Sequence, residues 1–254
     1  FTFQRPDFFS SVRLYSSRNM NMESPYNSQG LLNHHRGDAA NHIYTHGNEY
    51  EDISPVLDYQ KIPGTTVVEK GELPHHREIK KLGLTDFVGA TTDGYYGVVG
   101  FDFKSVHDPL VARKSWFFFD DQYVCLGSGI STKLKNKVNT TINQCWLNGP
   151  VNINSKGKNR KIDNGSHVYQ NVEWIHHDNV AYFLPGSGDI AVHNDLAEGS
   201  WWRINKQIDS PKDKISKEVF KLWIDHGVSP NNESYEYIVR PNTTLDELKK
   251  GIVI

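Results

Sequence analysis

Apolar and polar residues alternate in short runs over most of the chain, and Gly, Pro, Asn or Asp closes each run. From Gly94 onward the pattern is strongly β. YYGVVGFDF, KSWFFFDDQYVCLGSGI, NTTINQCWL, SHVYQNVEWIHHDNVAYFLPG, DIAVHND, SWWRINK, EVFKLWIDHG and SYEYIVRP combine aromatic and β-branched residues with bounding turn residues, which predicts strands. Phe119-Asp120-Asp121-Gln122 and His177-Asp178-Asn179 read as hairpin turns inside two of these runs. Near the start, SVRLYSS alternates Val12, Leu14 and Ser16 with Arg13, Tyr15 and Ser17, a strand with one face inward. SPVLDYQKIPGTTVVE predicts a strand broken at Pro63-Gly64, followed by a charged loop from Lys70 to Lys81. Only TTLDELKKG predicts a helix, with a Thr cap and a closing Gly. Many strands, short polar turns and almost no helix predict one all-β domain, a large antiparallel β-sandwich of sheets packed face to face.

One stretch departs from this pattern. Residues 17–50 hold few aliphatics but several carboxylates, side-chain amides and the imidazoles of His34, His35, His42 and His46, with breaks at Pro25, Gly30, Gly37 and Gly47. They read as short strands joined by exposed turns, and a folded chain rarely concentrates such residues where only packing is required.

Composition narrows the classes. At 254 residues the chain is long enough for a sizeable core, and 12% aromatics suit a sheet-rich fold. The formal charge of -2, with Lys and Arg scattered, argues against nucleic acid as a partner, and KLKNKVN and NSKGKNRKIDNGS read as solvated basic turns. An acidic sugar needs only a local Arg, His or amide cluster. No apolar run approaches the length of a membrane span, so no membrane partner is expected. Cys125 and Cys145 lie in apolar runs and read as buried free thiols in preference to a disulfide. The chain opens on FTFQRPDFF without Met or leader and reads as a processed or truncated piece, which leaves secretion open.

Six blocks, NMESPYNSQG, RGDAANHIYTHGNEYEDISPVLDYQKIPGTT, DFVGATTDGYYGV, KSWFFFDDQYVCLGSGI, NTTINQCWLNGPV and EVFKLWIDHG, together resemble the central β-sandwich (super-sandwich) domain of polysaccharide lyase family 8. The chondroitin AC, hyaluronate and xanthan lyases are members, and the resemblance runs from about Phe8 to Lys250. It implies a fragment of a larger enzyme that has an N-terminal α/α toroid and a C-terminal β domain. It also implies β-elimination at a uronic acid, with the catalytic Asn, His, Tyr and Arg on the toroid, outside these residues. No metal or organic cofactor is required for that step. The expected partners are an acidic polysaccharide and the toroid, and the expected location is secreted or periplasmic.

The resemblance carries over to few residues here. Glu23, after SVRLYSSR and before an Asn, matches the acidic residue with which the central domain holds an arginine of the toroid. The family pattern Glu-x-x-Asn-x-Glu-Asn is not kept: Glu23 and Asn27 are one residue further apart, and Gln29 stands near the second Glu. Asn27 is nevertheless the expected substrate-binding amide. His34, Arg36 and their neighbours His35, Asn41 and His42 are candidates for the sugar groove, since imidazole, amide and guanidinium pair with hydroxyls, carboxylates and sulfates; the alternative is that they are ordinary surface strand residues. Asp58 and Glu69 fall where some relatives hold a calcium-like ion, with Gln60 in place of a carboxylate. Zinc is disfavoured, because the neighbours in His34-His35 and His75-His76 would face opposite sides of a strand. Trp174, Trp201 and Trp202 are read as packing residues in preference to sugar platforms. The rival functional reading is a non-catalytic carbohydrate-binding sandwich; a purely structural sandwich suits the polar stretch less well.

Overall fold

The computed structural model describes residues 1–186 and 188–251. Among these, the strands run β1 (Thr2–Arg5), β2 (Phe8–Arg13), β3 (Ala40–Tyr44), β4 (Thr66–Val68), β5 (Val88–Thr92) and β6 (Gly97–Lys104). They continue as β7 (Val111–Phe118), β8 (Tyr123–Ser131), β9 (Lys137–Trp146), β10 (Asn152–Ser155), β11 (Lys158–Lys161) and β12 (Ser166–Tyr169). The last are β13 (Val172–His177), β14 (Val180–Phe183), β15 (Asp189–Gly199), β16 (Ile215–Val228) and β17 (Glu233–Arg240), with helices α1 (Trp201–Ile204) and α2 (Leu245–Lys250).

All pairings between these strands are antiparallel, in three sheets: β1-β2-β3, β11-β10-β13-β14-β17-β8-β7-β6-β5 and β12-β15-β16-β9-β4. Strand alternation builds the core, as expected of half-buried strands. On β7 the residues Ala112, Lys114, Trp116 and Phe118 face inward, and Ala112, Trp116 and Phe118 with Tyr123 and Cys125 of β8 join Phe220, Leu222 and Ile224 of β16 and Phe3, Phe8 and Val12 of the small sheet in one apolar cluster. Cys125 and Cys145 are free and buried, and burial pushes the Cys125 thiol up to about 12.

Several local expectations hold. Phe119 N–H donates to Gln122 C=O at the β7–β8 turn, and Asp178 and Asn179 take φ 50° and 58° in the β13–β14 hairpin, the left-handed pair such a turn requires. Thr244 and Glu247 cap α2 reciprocally, and Leu248 packs on Trp174, Ala181 and Phe183 of the large sheet's outer face.

Others are corrected. The strand expected over SVRLYSS ends at Arg13, and Tyr15 turns inward against Phe101. SWWRINK forms a single helical turn, pinned where Trp202 N–H donates to Pro211 C=O. Residues 54–62 form turns in place of a strand and cover the second face of β9. This explains the buried polar run on β9: Gln144 accepts from Asp58 N–H at 2.8 Å and donates to Asp58 C=O and Lys61 C=O at 3.0 and 2.6 Å. The basic tip at Lys156-Gly157 is a turn, but it joins β10 and β11, which the sequence pattern does not announce.

At Pro63-Gly64 the chain crosses β3. Gly64 has φ +84°, and a Cβ there would lie 2.5 Å from Ala39 O and 2.6 Å from Asn41. Only glycine meets both demands. The Lys114 ammonium donates to Gly64 C=O from inside the sandwich, and burial lowers its pKa to about 7, with Asp38 opposing.

Candidate functional site

Two anchors flank the loop at residues 22–27. At the first, Asn21 N–H donates to Lys81 C=O at 3.0 Å, its Oδ1 accepts from Lys81 N–H at 2.8 Å, and Met20 bridges Leu82. At the second, Gln29 bridges Asn205, Leu31 N–H donates to Ile204 C=O at 3.1 Å, and Lys206 N–H donates to Ser28 C=O at 2.9 Å. The loop between them presents Glu23, Tyr26 and Asn27 to solvent.

Glu23 makes no hydrogen bond or ion pair among the described residues. Tyr26 is 79% exposed, and the Lys80 ammonium lies over its ring and 3.4 Å from its hydroxyl. Asn27 Nδ2 donates to Gln29 Oε1 at 3.2 Å, and Gln29 Nε2 donates to Gln207 Oε1 at 2.8 Å, a row of three amides along the rim. Met20 and Leu82, paired at the first anchor, are exposed apolar side chains, the kind of surface that marks a contact with another body. The site is thus an unpaired carboxylate and an amide row on a loop fixed at both ends. Gln207 and the α1 turn are not foreseeable from local pattern, because Gln29 and Gln207 lie 178 residues apart.

The imidazoles are placed differently from expectation. Asn33–His35 form one 3-10 turn, and His34 and His35 are buried, so His34 does not line a groove in this fold. His34 and His35 meet His107 edge-on at centroid distances of 5.4 and 5.7 Å, and His35 Nδ1 lies 2.8 Å from Asp38 Oδ2. Burial, reinforced by neighbouring imidazoles, pushes both His34 and His107 down to about 4 and holds them neutral. Burial and Asp38 raise the Tyr15 hydroxyl. Asn41 on β3 is likewise internal and donates to Ser10 Oγ and Ser11 C=O of β2.

Arg36 stays reachable: its Nε donates to Asn33 Oδ1 at 2.9 Å, its guanidinium lies over the Tyr59 ring, and with Arg13, Ser11 and His42 it borders a recess of about 170 Å³.

Asp58 and Glu69 do come together, but around a cation the chain supplies. The Lys61 ammonium pairs with Glu69 and lies 3.9 Å from Asp58 Oδ2. Gln60 is spent on the backbone of Lys70, donating to its C=O and accepting from its N–H, both at 2.8 Å. Two carboxylates already facing an ammonium do not fit a calcium site. Among the described residues no group of three or more His, Cys, Asp or Glu is arranged to hold a metal ion. Trp174 is buried under α2; Trp202 carries Lys206 and Lys212 over its ring at 4.4 and 4.6 Å.

Residues 1–251 match the polysaccharide lyase family 8 super-sandwich domain. The chain is 38% identical over 251 residues to chondroitinase-AC of Pedobacter heparinus, covering 97% of this chain and 35% of that protein. It is 31% identical over 253 residues to the xanthan lyase of Bacillus sp. strain GL1, covering 95% and 27%. The chain therefore spans about a quarter to a third of the length of these curated relatives. Among solved structures, a chondroitinase AC lyase studied through oligosaccharide complexes and mutagenesis superposes with a TM-score of 0.88 at 35% identity, over 98% of this chain and 36% of that one. A Paenibacillus xanthan lyase superposes with a TM-score of 0.88 at 28% identity, over 98% and 25%.

Proposed function

This chain belongs to polysaccharide lyase family 8, as its super-sandwich domain, and from that premise we propose that it forms one wall of the substrate cleft in an enzyme that cleaves a uronate-containing polysaccharide by β-elimination. The single observation that supports this reading is the Glu23 loop: a carboxylate without a partner, held on an anchored rim beside exposed apolar side chains.

The chemistry explains what such a wall contributes. The proton on C5 of a uronate is weakly acidic, and removing it requires hydrogen bonds or positive charge at the neighbouring carboxylate, where an enediolate develops. A base takes that proton and an acid protonates the departing glycosidic oxygen. In this proposal those groups belong to an adjoining α/α toroid. Glu23 positions an arginine of that toroid, since a carboxylate fixes a guanidinium bidentately, and the Asn27–Gln29–Gln207 amides offer hydrogen bonds to sugar hydroxyls. The substrate is an acidic polysaccharide such as chondroitin or hyaluronan. A polymer of that kind is met outside the cytoplasm, which places the enzyme among secreted or periplasmic proteins.

The test is the ultraviolet absorbance of a 4,5-unsaturated uronate after mixing the complete enzyme with chondroitin, hyaluronan, xanthan or alginate. Absorbance growing with at least one polymer is expected. No such product from any of them would overturn the proposal in favour of a carbohydrate-binding module without chemistry.

A further inference from the structure

A second groove, of about 670 Å³, lies on the outer face of the β12-β15-β16-β9-β4 sheet, bounded by β15, β16, the turns at 56–60 and 71–73, and α1. Three basic side chains meet there. His193 on β15 and Lys221 on β16 are directly opposite in the register, and burial together with the Lys221 charge lowers the pKa of the imidazole. Arg203, on α1, closes the third side, its guanidinium stacked over Tyr59 and one NH2 group donating to Leu57 C=O at 2.5 Å.

None of the three has an ion pair among the described residues. Arg203 Nε and His193 Nε2 have no hydrogen-bond partner, and Lys221 has no hydrogen bond at its ammonium. The carboxylates lining the groove are engaged elsewhere or stand at its edge. Glu198 pairs with Lys214 at 2.7 Å, Asp58 accepts from Gln60 N–H and faces Lys61, and Glu72 is exposed at the rim. Burial lowers the pKa of Lys221 while Asp58 opposes the shift, the behaviour of an ammonium withdrawn from water without full compensation. Leu196, 56% exposed, gives the groove an apolar wall on which a sugar ring can lie.

We propose that Lys221, Arg203 and His193 form an anion subsite that holds a sulfate or carboxylate of the polysaccharide on the outer face of this sheet, apart from Glu23. The class of ligand rests on the lyase reading; the site itself rests on two cations without ion pairs and an imidazole bonded to Ser166 through Nδ1 with Nε2 unpartnered. An anion placed between Lys221 and Arg203 supplies the missing counter-charge and accepts from Arg203 and from the His193 imidazole N–H.

The test titrates this chain with chondroitin sulfate, hyaluronan and uncharged dextran oligosaccharides at low salt, following amide chemical shifts and affinity. Shifts centred on His193, Arg203 and Lys221 are expected with the charged oligosaccharides and none with dextran. A stronger response to chondroitin sulfate than to hyaluronan assigns the site to sulfate; an equal response assigns it to the uronate carboxylate. Lys221→Met and Arg203→Gln, checked by circular dichroism, should each weaken binding about 5- to 20-fold, as loss of a charge-assisted contact does, and Lys221→Arg should retain it. Shifts mapping to other residues, equal binding of dextran, or unchanged affinity in folded variants would overturn the subsite. If a variant fails to fold, the shift map of the unsubstituted chain decides alone. Because binding is read without turnover, a complete enzyme that yields no unsaturated product would refute the lyase reading and leave these affinities standing.

Discussion

His35 Nδ1 and Asp38 Oδ2 lie 2.8 Å apart with 2% and 1% of their side chains exposed, inside a polar knot that also takes in Tyr15, His107 and Asn21. A buried pair of this kind is worth little as a source of stability against an apolar replacement, but breaking it by removing one partner leaves the other unpaired in a dry site. Asp38→Ala is therefore expected to lower unfolding free energy by about 3 kcal/mol. Urea denaturation measures this, and a loss below about 1 kcal/mol would mean that water reaches the knot.

Buried imidazoles, in this knot and elsewhere, make the fold sensitive to acid. Burial pushes His34, His107, His42, His177 and His226 down to about 4 from an ordinary 6.5. The unfolded chain binds protons at these imidazoles as pH falls below 6.5, while the folded chain does not until about 4. Their contribution is thus fully present above 6.5 and is lost between 6.5 and 4, at up to about 1.4 kcal/mol per pH unit for each imidazole. Denaturation midpoints should fall steeply from about pH 6.5 to about pH 5. A flat profile over that interval would show that the imidazoles titrate normally.

The crossing at Gly64 separates two kinds of glycine. Gly64 and Gly47 both have positive φ, +84° and +97°, but a Cβ at Gly47 meets open space whereas one at Gly64 strikes the backbone of β3. Gly47→Ala should cost about 1 kcal/mol, the backbone strain alone. Gly64→Ala should cost well beyond about 3 kcal/mol, because Ala39 O and Asn41 cannot retreat without parting from the Pro63 carbonyl to which Asn41 N–H donates at 2.7 Å. Equal costs would mean that the crossing is pliable.

How far the sequence foretells this molecule depends on whether local pattern or distant partners decide each segment. Strand character from Gly94 onward, the Asp178-Asn179 turn and the Thr244 cap are set by residues within a few positions, and the expectations hold there. The polar stretch 17–50 does not read correctly. Its imidazoles and amides suggest a wet surface, yet His34, His35, Asp38 and Asn41 are internal, some of their partners lying as far off as His107. SWWRINK carries strand-forming aromatics but is held as a helical turn by Pro211. Glu23 and Asn27, singled out by resemblance, lie on one exposed loop; the amide row that extends to Gln207 is a product of tertiary folding.

Lys61 provides a test of the acidic pair near the Pro63-Gly64 turn. Its ammonium sits between Asp58 and Glu69 and 4.9 Å from the Trp223 ring. Lys61→Met keeps the aliphatic stem and leaves two carboxylates facing each other, and should lose about 1–2 kcal/mol, less at high salt. The unsubstituted chain should melt at the same temperature with and without a calcium chelator, whereas the Met variant should gain stability from added calcium. A chelator-sensitive melt of the unsubstituted chain would remove Lys61 from the role of resident cation.

Glu23 carries the sharpest prediction for function. The carboxylate is exposed and has no hydrogen bond or ion pair among the described residues, so Glu23→Gln should change the unfolding free energy of this chain by less than about 0.5 kcal/mol. If Glu23 holds an arginine of the neighbouring domain, the neutral amide loses both the charge and the two-pronged acceptor, and the guanidinium drifts from the position from which it serves the cleft. Turnover should then fall by about 10- to 100-fold with a smaller change in KM, since misplacing a positioning group by a fraction of a bond length affects the transition state more than the ground state. Glu23→Asp, which keeps the charge but shortens the reach, should fall between the two. Equal turnover in all three proteins would detach the carboxylate from catalysis and reduce this loop to a hydrogen-bonding rim.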